Sequence, residues 1–309
     1  MSILFSHFSS KINKISPLET VFTEVLESIA LKPKTLYFYG KMPKNMSKNG
    51  KSTRPKTVAI VGSRHNTRYG EEIAYKMAYE LAKKGAIIIS GLAYGIDSIA
   101  HRGCLDAGGR TVAVLGTPID KIYPRAHESL AREIIEKNGA ILSEYGPGED
   151  CYPNTNAFLR RNRIISGLSD VVVVVEAAEK SGSLNTATHA LNQGKEVFAV
   201  PGNINNPYSR GCNSLIKQGA FPYTEPDDLI RLLFPEDYLK RRKKLHEANL
   251  IGDTDTETLI LQALAKGFHS SEEIMDETKL PPELFNEIAT ILEIKSRIRS
   301  LGMNNWTLA

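Results

Sequence analysis

Three segments of this chain carry the residue types that hold phosphate oxygens. The first is Gly62-Ser63-Arg64, directly after an apolar run at 57–61 and just before a helical stretch from Arg68. Glycine lets the backbone come close to an anion. A helix start supplies free N–H groups and positive potential, and an arginine fork matches a phosphate. A structural turn bearing a surface arginine is the alternative, because the segment is not the dinucleotide fingerprint G-x-G-x-x-G. The second segment, Lys180-Ser181-Gly182-Ser183, follows the run VVVVV at 171–175. It sets a lysine, two hydroxyls and a glycine at another helix start. The third is Phe158-Leu159-Arg160-Arg161-Asn162-Arg163. On a helix Arg160 and Arg163 share a face and Arg161 points elsewhere. Phe158 offers a surface on which a base can stack, and salt bridges to flanking acids are the other reading of the arginines. The two strand-end cradles would suit successive phosphates or a nucleotide.

A fourth segment, Ser90 to Asp97, ends another apolar run with Gly91 and Gly95 and leads into a helix holding His101. Tyr94 lies in it as a second aromatic for stacking. Asp97 suits an N-cap, and its spacing from His101 permits a pairing one helical turn away.

The elements that must position these residues are legible as a repeat. Apolar, β-branched runs at 57–61, 86–89, 111–115, 140–142, 171–175 and 196–200 alternate with helical stretches at 68–84, 96–107, 127–138, 156–168 and 183–193. Runs without polar alternation mark strands buried on both faces, hence a mainly parallel sheet covered by helices. The expected fold is an extended Rossmann-like, doubly wound α/β domain over 57–224, with the loops that follow the strands gathered along one edge. Before it, residues 1–56 read as a basic arm with one helix at 17–31, an edge strand at 36–39 and a mobile loop from 41. After it, 225–254 reads as a charged, irregular linker that includes KRRKK at 240–244. Residues 255–309 read as a winged-helix-like module of three helices and a hairpin turning at Gly302 or Asn304-Asn305.

Overall the 309-residue chain carries +4, but residues 1–56 hold ten Lys/Arg against three Glu, and 245–309 hold five Lys/Arg against eleven Asp/Glu. That asymmetry expects a polyanion near the front of the chain and not at its end. The third helix of the end module, 282–294, carries Glu283, Glu287 and Glu293 and no base before Lys295. A DNA-reading helix would show lysine and arginine there, so that module is expected to contact protein, or the basic surface of its own chain, instead.

Several chemistries are not expected. Cys104, Cys151 and Cys212 are scattered and have no zinc spacing with the seven histidines, so no metal is foreseen. No Walker A sequence is present, so neither ATP hydrolysis nor a cofactor is foreseen. No apolar run reaches membrane-spanning length, and the first residues lack a signal-peptide core, so a cytoplasmic protein is expected.

The blocks GSRHNTRYG, SGLAYGIDSIAH, TVAVLGTPIDKIYP, ILSEYGPG, FLRRNRIISGLSD, SGSLNTATHAL and VFAVPGNINN with GCNSLIKQGA occur in order over about 57–224. In this the sequence resembles the DNA-processing protein A (DprA, or Smf) family. The resemblance implies a non-catalytic protein that binds and protects incoming single-stranded DNA, forms a homodimer and loads the RecA recombinase during natural transformation. By position it implies DNA contacts from Gly62, Ser63 and Arg64, from Arg161, Asn162 and Arg163 with Phe158 ahead of them, and from Ser181 to Leu184. Leu159 departs from the family's usual proline, Asn185 from an aliphatic residue and Cys104 from alanine. A second scaffold-sharing family, the LOG-type nucleotide phosphoribohydrolases, carries PGGxGTxxE where this chain has Lys180 to His189. The second glycine and the glutamate are missing, and glycosidic hydrolysis needs that carboxylate. No small-molecule substrate is therefore expected.

Overall fold

The computed structural model describes residues 12–44, 46–48, 51–149 and 154–309. The chain divides into two units, residues 1–229 and 230–309.

The first unit is built on one nine-stranded sheet. In chain order its strands are β1 (Asn13–Ile15), β2 (Leu36–Gly40), β5 (Thr57–Val61), β6 (Ile87–Ser90), β7 (Thr111–Leu115), β8 (Ala140–Ser143), β9 (Val171–Val174), β10 (Glu196–Ala199) and β11 (Phe221–Pro222), while β3 (Met46–Lys48) and β4 (Lys51–Thr53) pair separately. Across the sheet they lie β1-β2-β8-β7-β6-β5-β9-β10-β11. The seven strands from β8 to β11 are mutually parallel, and β2 and β1 join antiparallel beyond β8. All five residues of β5 and of β7 are buried. Helices cover both faces: Ala59 and Val61 pack with Ile164, Ile165 and Ala187, while Ala113 and Leu115 pack with Leu105, Leu130 and Ile134. The apolar residues that follow the opening threonine in β5 and β7 therefore serve two interfaces at once, as the parallel reading requires.

The helices that matter below are α1 (Val21–Glu24), α2 (Arg68–Lys83), α3 (Ile96–Asp106), α4 (Glu128–Glu136), α5 (Thr155–Leu168), α6 (Gly182–Asn192) and α7 (Arg210–Lys217). The order β7-β6-β5-β9-β10-β11 is the doubly wound arrangement.

Four local expectations give way. Residues 17–31 are not one helix: α1 is a single turn flanked by 3-10 turns at Pro17–Glu19 and Val25–Ser28. Thr20 is extended and accepts the Thr23 N–H, and the Thr23 hydroxyl donates to Pro17 O at 2.7 Å. Such side-chain bonds compete with the helix ladder. The strand at 36–40 is internal, because β1 covers its outer side. The loop from 41 contains the β3–β4 pair, while positions 45, 49 and 50 lie outside the described residues, as does Cys151. The stretch read as an irregular linker is helical, α8 (Pro226–Leu233) and α9 (Pro235–Asn249). Proline opens each helix, where it costs no hydrogen bond. α9 is polar along most of its length, so no apolar stripe announces it.

The second unit holds α10 (Asp255–Ala265), α11 (Ser271–Thr278), α12 (Pro282–Ile294) and a hairpin of β12 (Ile298–Gly302) and β13 (Asn305–Leu308). Ile260, Leu264, Ile274, Phe285, Leu292 and Ile298 form its core. The hairpin turns at Met303-Asn304, both at positive φ, one residue away from the pair expected.

Candidate nucleic-acid interface

From β5 the chain steps outward through β6 and β7 to β8, then crosses back to lay β9 on the other side of β5. Loops leaving β5 and β9 therefore diverge, and a crevice opens between them at the carboxyl edge. A cavity of about 630 Å³ lies there, lined by the segments Gly62–Arg64 and Lys180–Ser183 and by Phe158, Arg161 and Asn162. The fold thus brings both cradles and part of α5 to one place. Of the expected residues, Tyr94 lines a small adjoining cavity with Arg64, Tyr123 and Phe158, and Arg160 and Arg163 line neither.

The first cradle is held from two sides. Ser63 N–H donates to Glu176 O at 2.7 Å, and Ile96 N–H donates to Ser63 O at 3.2 Å. Gly95, at φ +75°, permits the second approach, since a Cβ there would lie 2.3 Å from Ser63 O. Arg64 itself is exposed, with its guanidinium carbon 5.3 Å from the centre of the Phe158 ring. At the start of α2 two N–H groups are already taken: Thr67 Oγ1 accepts from Gly70 N at 3.3 Å, and the Glu176 carboxylate accepts from Thr67 N at 2.8 Å and from Thr67 Oγ1 at 2.6 Å. Arg64 gives this cradle an exposed cation beside an aromatic ring.

The second cradle keeps the expected design. Ser181 is the N-cap of α6 and accepts from Ser183 N at 3.3 Å, and its hydroxyl lies 2.7 Å from that of Ser183. A Cβ on Gly182 would meet only Leu159 Cδ2, at 3.9 Å. Protein packing leaves this first helical position uncrowded. Asn162 ties the cradle to α5 by donating to Gly182 O at 3.1 Å and to Asn185 Oδ1 at 3.3 Å. Among the described residues neither Arg64 nor Lys180 has an ion-pair partner, and both are exposed.

The arginines of α5 diverge, which corrects the picture of a helix paving a groove. Arg163 is buried, donating to Leu31 O at 2.6 Å, to Arg160 O at 2.9 Å and to Glu144 Oε1 at 2.7 Å. Arg160 is exposed and lies 3.5 Å from the same carboxylate. Arg161 reaches the cavity, but it donates to Gly91 O at 2.8 Å and to Val114 O. Burial lowers its pKa to about 10. Arg160 and Arg163, three residues apart, share the face that meets Glu144, while the 100° step between successive residues turns Arg161 toward the sheet, where its charge meets backbone carbonyls.

Asp97 is not the N-cap of α3. Gly95 holds that position, and the Asp97 carboxylate turns back to accept Gly91 N–H at 3.0 Å. Burial raises its pKa while the Arg161 charge works in the opposite direction. His101 does not pair with Asp97. Its Nδ1 lies 2.7 Å from Thr111 Oγ1, and burial lowers its pKa to about 3. A histidine whose folded pKa lies below its unfolded value near 6.5 favours the neutral form. Its contribution to stability is complete above pH 6.5 and is lost as pH falls toward 3. The melting temperature is expected to decline over that window, and His101→Gln to flatten the decline. An unchanged profile in the variant would remove His101 as its source.

Several cavity residues were not singled out from the sequence. Tyr123, 5.4 Å from Phe158 between ring centres, follows β7; Asn154 caps α5; Tyr208 follows β10; His65 adjoins Arg64. The rule that loops after parallel strands share one edge could have found Tyr123 and Tyr208. Tyr94 packs edge-on against His127, with ring centres 5.0 Å apart, and His127 Nδ1 sits 2.8 Å from Leu92 O.

Comparison with known proteins decides the kinship. The family model for DNA recombination-mediator protein A matches residues 13–234. The chain belongs to this family. Protein Smf of Escherichia coli is 50% identical over 176 residues, which are 57% of this chain and 46% of that protein. DNA processing protein DprA of Bacillus subtilis is 40% identical over 231 residues, 75% of this chain and 74% of that one. A solved structure of DNA processing protein A from Helicobacter pylori, reported for its single-stranded DNA binding mode, superposes with a TM-score of 0.62 at 33% identity. It covers 73% of this chain and 96% of that one. The chain thus spans just under half the length of the Escherichia coli relative. The DprA family match contains every residue of the cavity described above, and no helix among the described residues is long and apolar enough to cross a membrane.

Proposed function

We propose that the crevice between β5 and β9 binds single-stranded DNA. One observation carries this: two exposed cations without acidic partners among the described residues, Arg64 and Lys180, stand on loops from adjacent strands around one cavity walled by Phe158 and Tyr123. Phosphates meet the cations and the Ser181 cap, while unpaired bases meet the rings, an arrangement that tolerates any sequence. A duplex keeps its bases stacked inside and offers the rings nothing. The family relationship and the subject of the Helicobacter pylori structure support the same reading.

Fluorescence anisotropy with oligothymidylate and with a duplex of equal length, each across a salt series, tests it. Single strands are expected to bind more tightly, with log K falling against log salt by about 0.7 for each phosphate neutralised. Equal affinities, or indifference to salt, would overturn the proposal. Gly182→Ala provides a sharper check. It is expected to leave stability within about 1 kcal/mol of the parent yet weaken oligothymidylate binding, because the added methyl enters space that a strand would use. Full affinity in this variant would place the strand elsewhere.

We read the activity as binding without catalysis. Among the described residues the two buried acids beside the cavity are both engaged in holding main chain, Asp97 with Gly91 N–H and Glu176 with Thr67. Incubation with AMP is expected to release no adenine. Protection of incoming DNA, pairing with a second copy and delivery of the strand to RecA in natural transformation complete this reading. Sedimentation velocity tests the pairing. For residues 255–309 we propose a winged-helix-like module that leaves DNA alone: Glu283, Glu287 and Glu293 are exposed on α12, and Lys295 is held at 2.7 Å by both Asp253 and Glu257.

A further inference from the structure

We infer that Glu176 is the positioning residue for Arg64, an inference that rests on the single-stranded DNA reading. Glu176 lies two residues past the end of β9, is 1% exposed and does not line the cavity. A buried carboxylate needs its oxygens satisfied, and here both are taken by one residue of the neighbouring loop. Thr67 donates its N–H to one oxygen and its hydroxyl to the other. The carboxylate also sits against the first turn of α2, where the helix dipole favours negative charge. That fit depends on residue 70 being glycine, since a Cβ there would lie 2.3 Å from Glu176 Oε2. The backbone of the same residue does a second job, because its carbonyl accepts the Ser63 N–H at 2.7 Å.

Residues 63 and 67 flank Arg64 on either side, so a single residue pins both feet of the arch that carries the guanidinium. Val175 N–H donates to Val61 O at 3.0 Å just before it, which fixes the base of the arch to the same strand. That strand continues four residues later into Lys180. The spacing between the two cations is therefore set within the protein before any DNA arrives. Binding need not order the Arg64 loop, and sparing that cost is the source of affinity in a preorganised site.

The test is a double-mutant cycle read by anisotropy with labelled oligothymidylate. Glu176→Gln keeps size and main chain but puts an amide N–H₂ where Thr67 needs an acceptor. It is expected to weaken binding roughly 2- to 12-fold, the range for re-ordering one long side chain. In an Arg64→Ala background the same substitution is expected to change affinity less than about 2-fold, because neighbours that act through one another are not additive. Equal losses in both backgrounds would show that Glu176 acts on the fold at large and would overturn the inference. Thr67→Ala in the same cycle carries the test if Glu176→Gln fails to fold. If the parent protein binds no oligothymidylate, the DNA reading fails separately. Amide hydrogen exchange at residues 63–67 then decides the positioning claim: faster exchange in Glu176→Gln upholds it and unchanged exchange overturns it.

Discussion

Replacing Arg64 with alanine is expected to weaken oligothymidylate binding about 10- to 100-fold, the usual worth of a hydrogen-bonded contact to a charged group. The melting temperature should move by less than about 2 °C, since exposed substitutions rarely exceed 0.5 kcal/mol in a unit of this size. The separation of these two effects follows from the structure. The side chain is exposed, has no ion-pair partner among the described residues and touches the protein through the Phe158 ring. The salt slope should fall by about 0.7, one phosphate's share for a single strand. Arg64→Lys should recover only part of the loss, because an ammonium cannot form the bidentate fork. Anisotropy titrations at three salt concentrations, paired with thermal melts, would check all of this. Unchanged affinity in the alanine variant would remove Arg64 from the site.

Arg161→Ala is expected to behave in the opposite way. Its guanidinium joins the ends of β6 and β7 through Gly91 O and Val114 O, and its charge is felt by the buried Asp97. Deleting it orphans two carbonyls and leaves Asp97 uncompensated. Removing one member of a buried charged set typically costs about 3–5 kcal/mol. For a unit of this size that corresponds to a drop of roughly 6–20 °C in melting temperature. Arg161→Lys should not rescue it, since a single ammonium lacks the planar reach to both carbonyls. Calorimetry decides: a variant that melts like the parent yet loses DNA would mean that Arg161 is a phosphate ligand and not a staple.

These contrasting outcomes show where sequence reading succeeds and where it stops. The parallel core was legible because Val58–Val61, Val112–Leu115 and Val171–Val174 are apolar at every position, which admits few alternatives. The meeting of Gly62–Arg64 with Lys180–Ser183 followed from the crossover topology once those strands were placed. Arg161 and Arg163 were legible as cations but not as structural ones. Their burial depends on carbonyls at Gly91, Val114 and Leu31, contacts that no local pattern encodes. Glu176 went unremarked for the same reason, because its partner Thr67 lies 109 positions earlier. The helix at 235–249 escaped because helix propensity without an amphipathic stripe leaves no periodic trace.

The placement of β9 beside β5 has a further consequence, for the growing chain. Thr57 N–H is satisfied by Asp170, 113 positions downstream, so the strand that begins the parallel core waits for its β9 neighbour until about three-quarters of the first unit has been made. Contacts of that span close slowly and leave strand edges uncovered in the interval. The cavity has no half-built form: its walls come from either side of that late pairing. Capacity to hold a strand of DNA should therefore arise in one step during refolding, in time with burial of Val172 and Val174. A population able to bind would be a population fully folded.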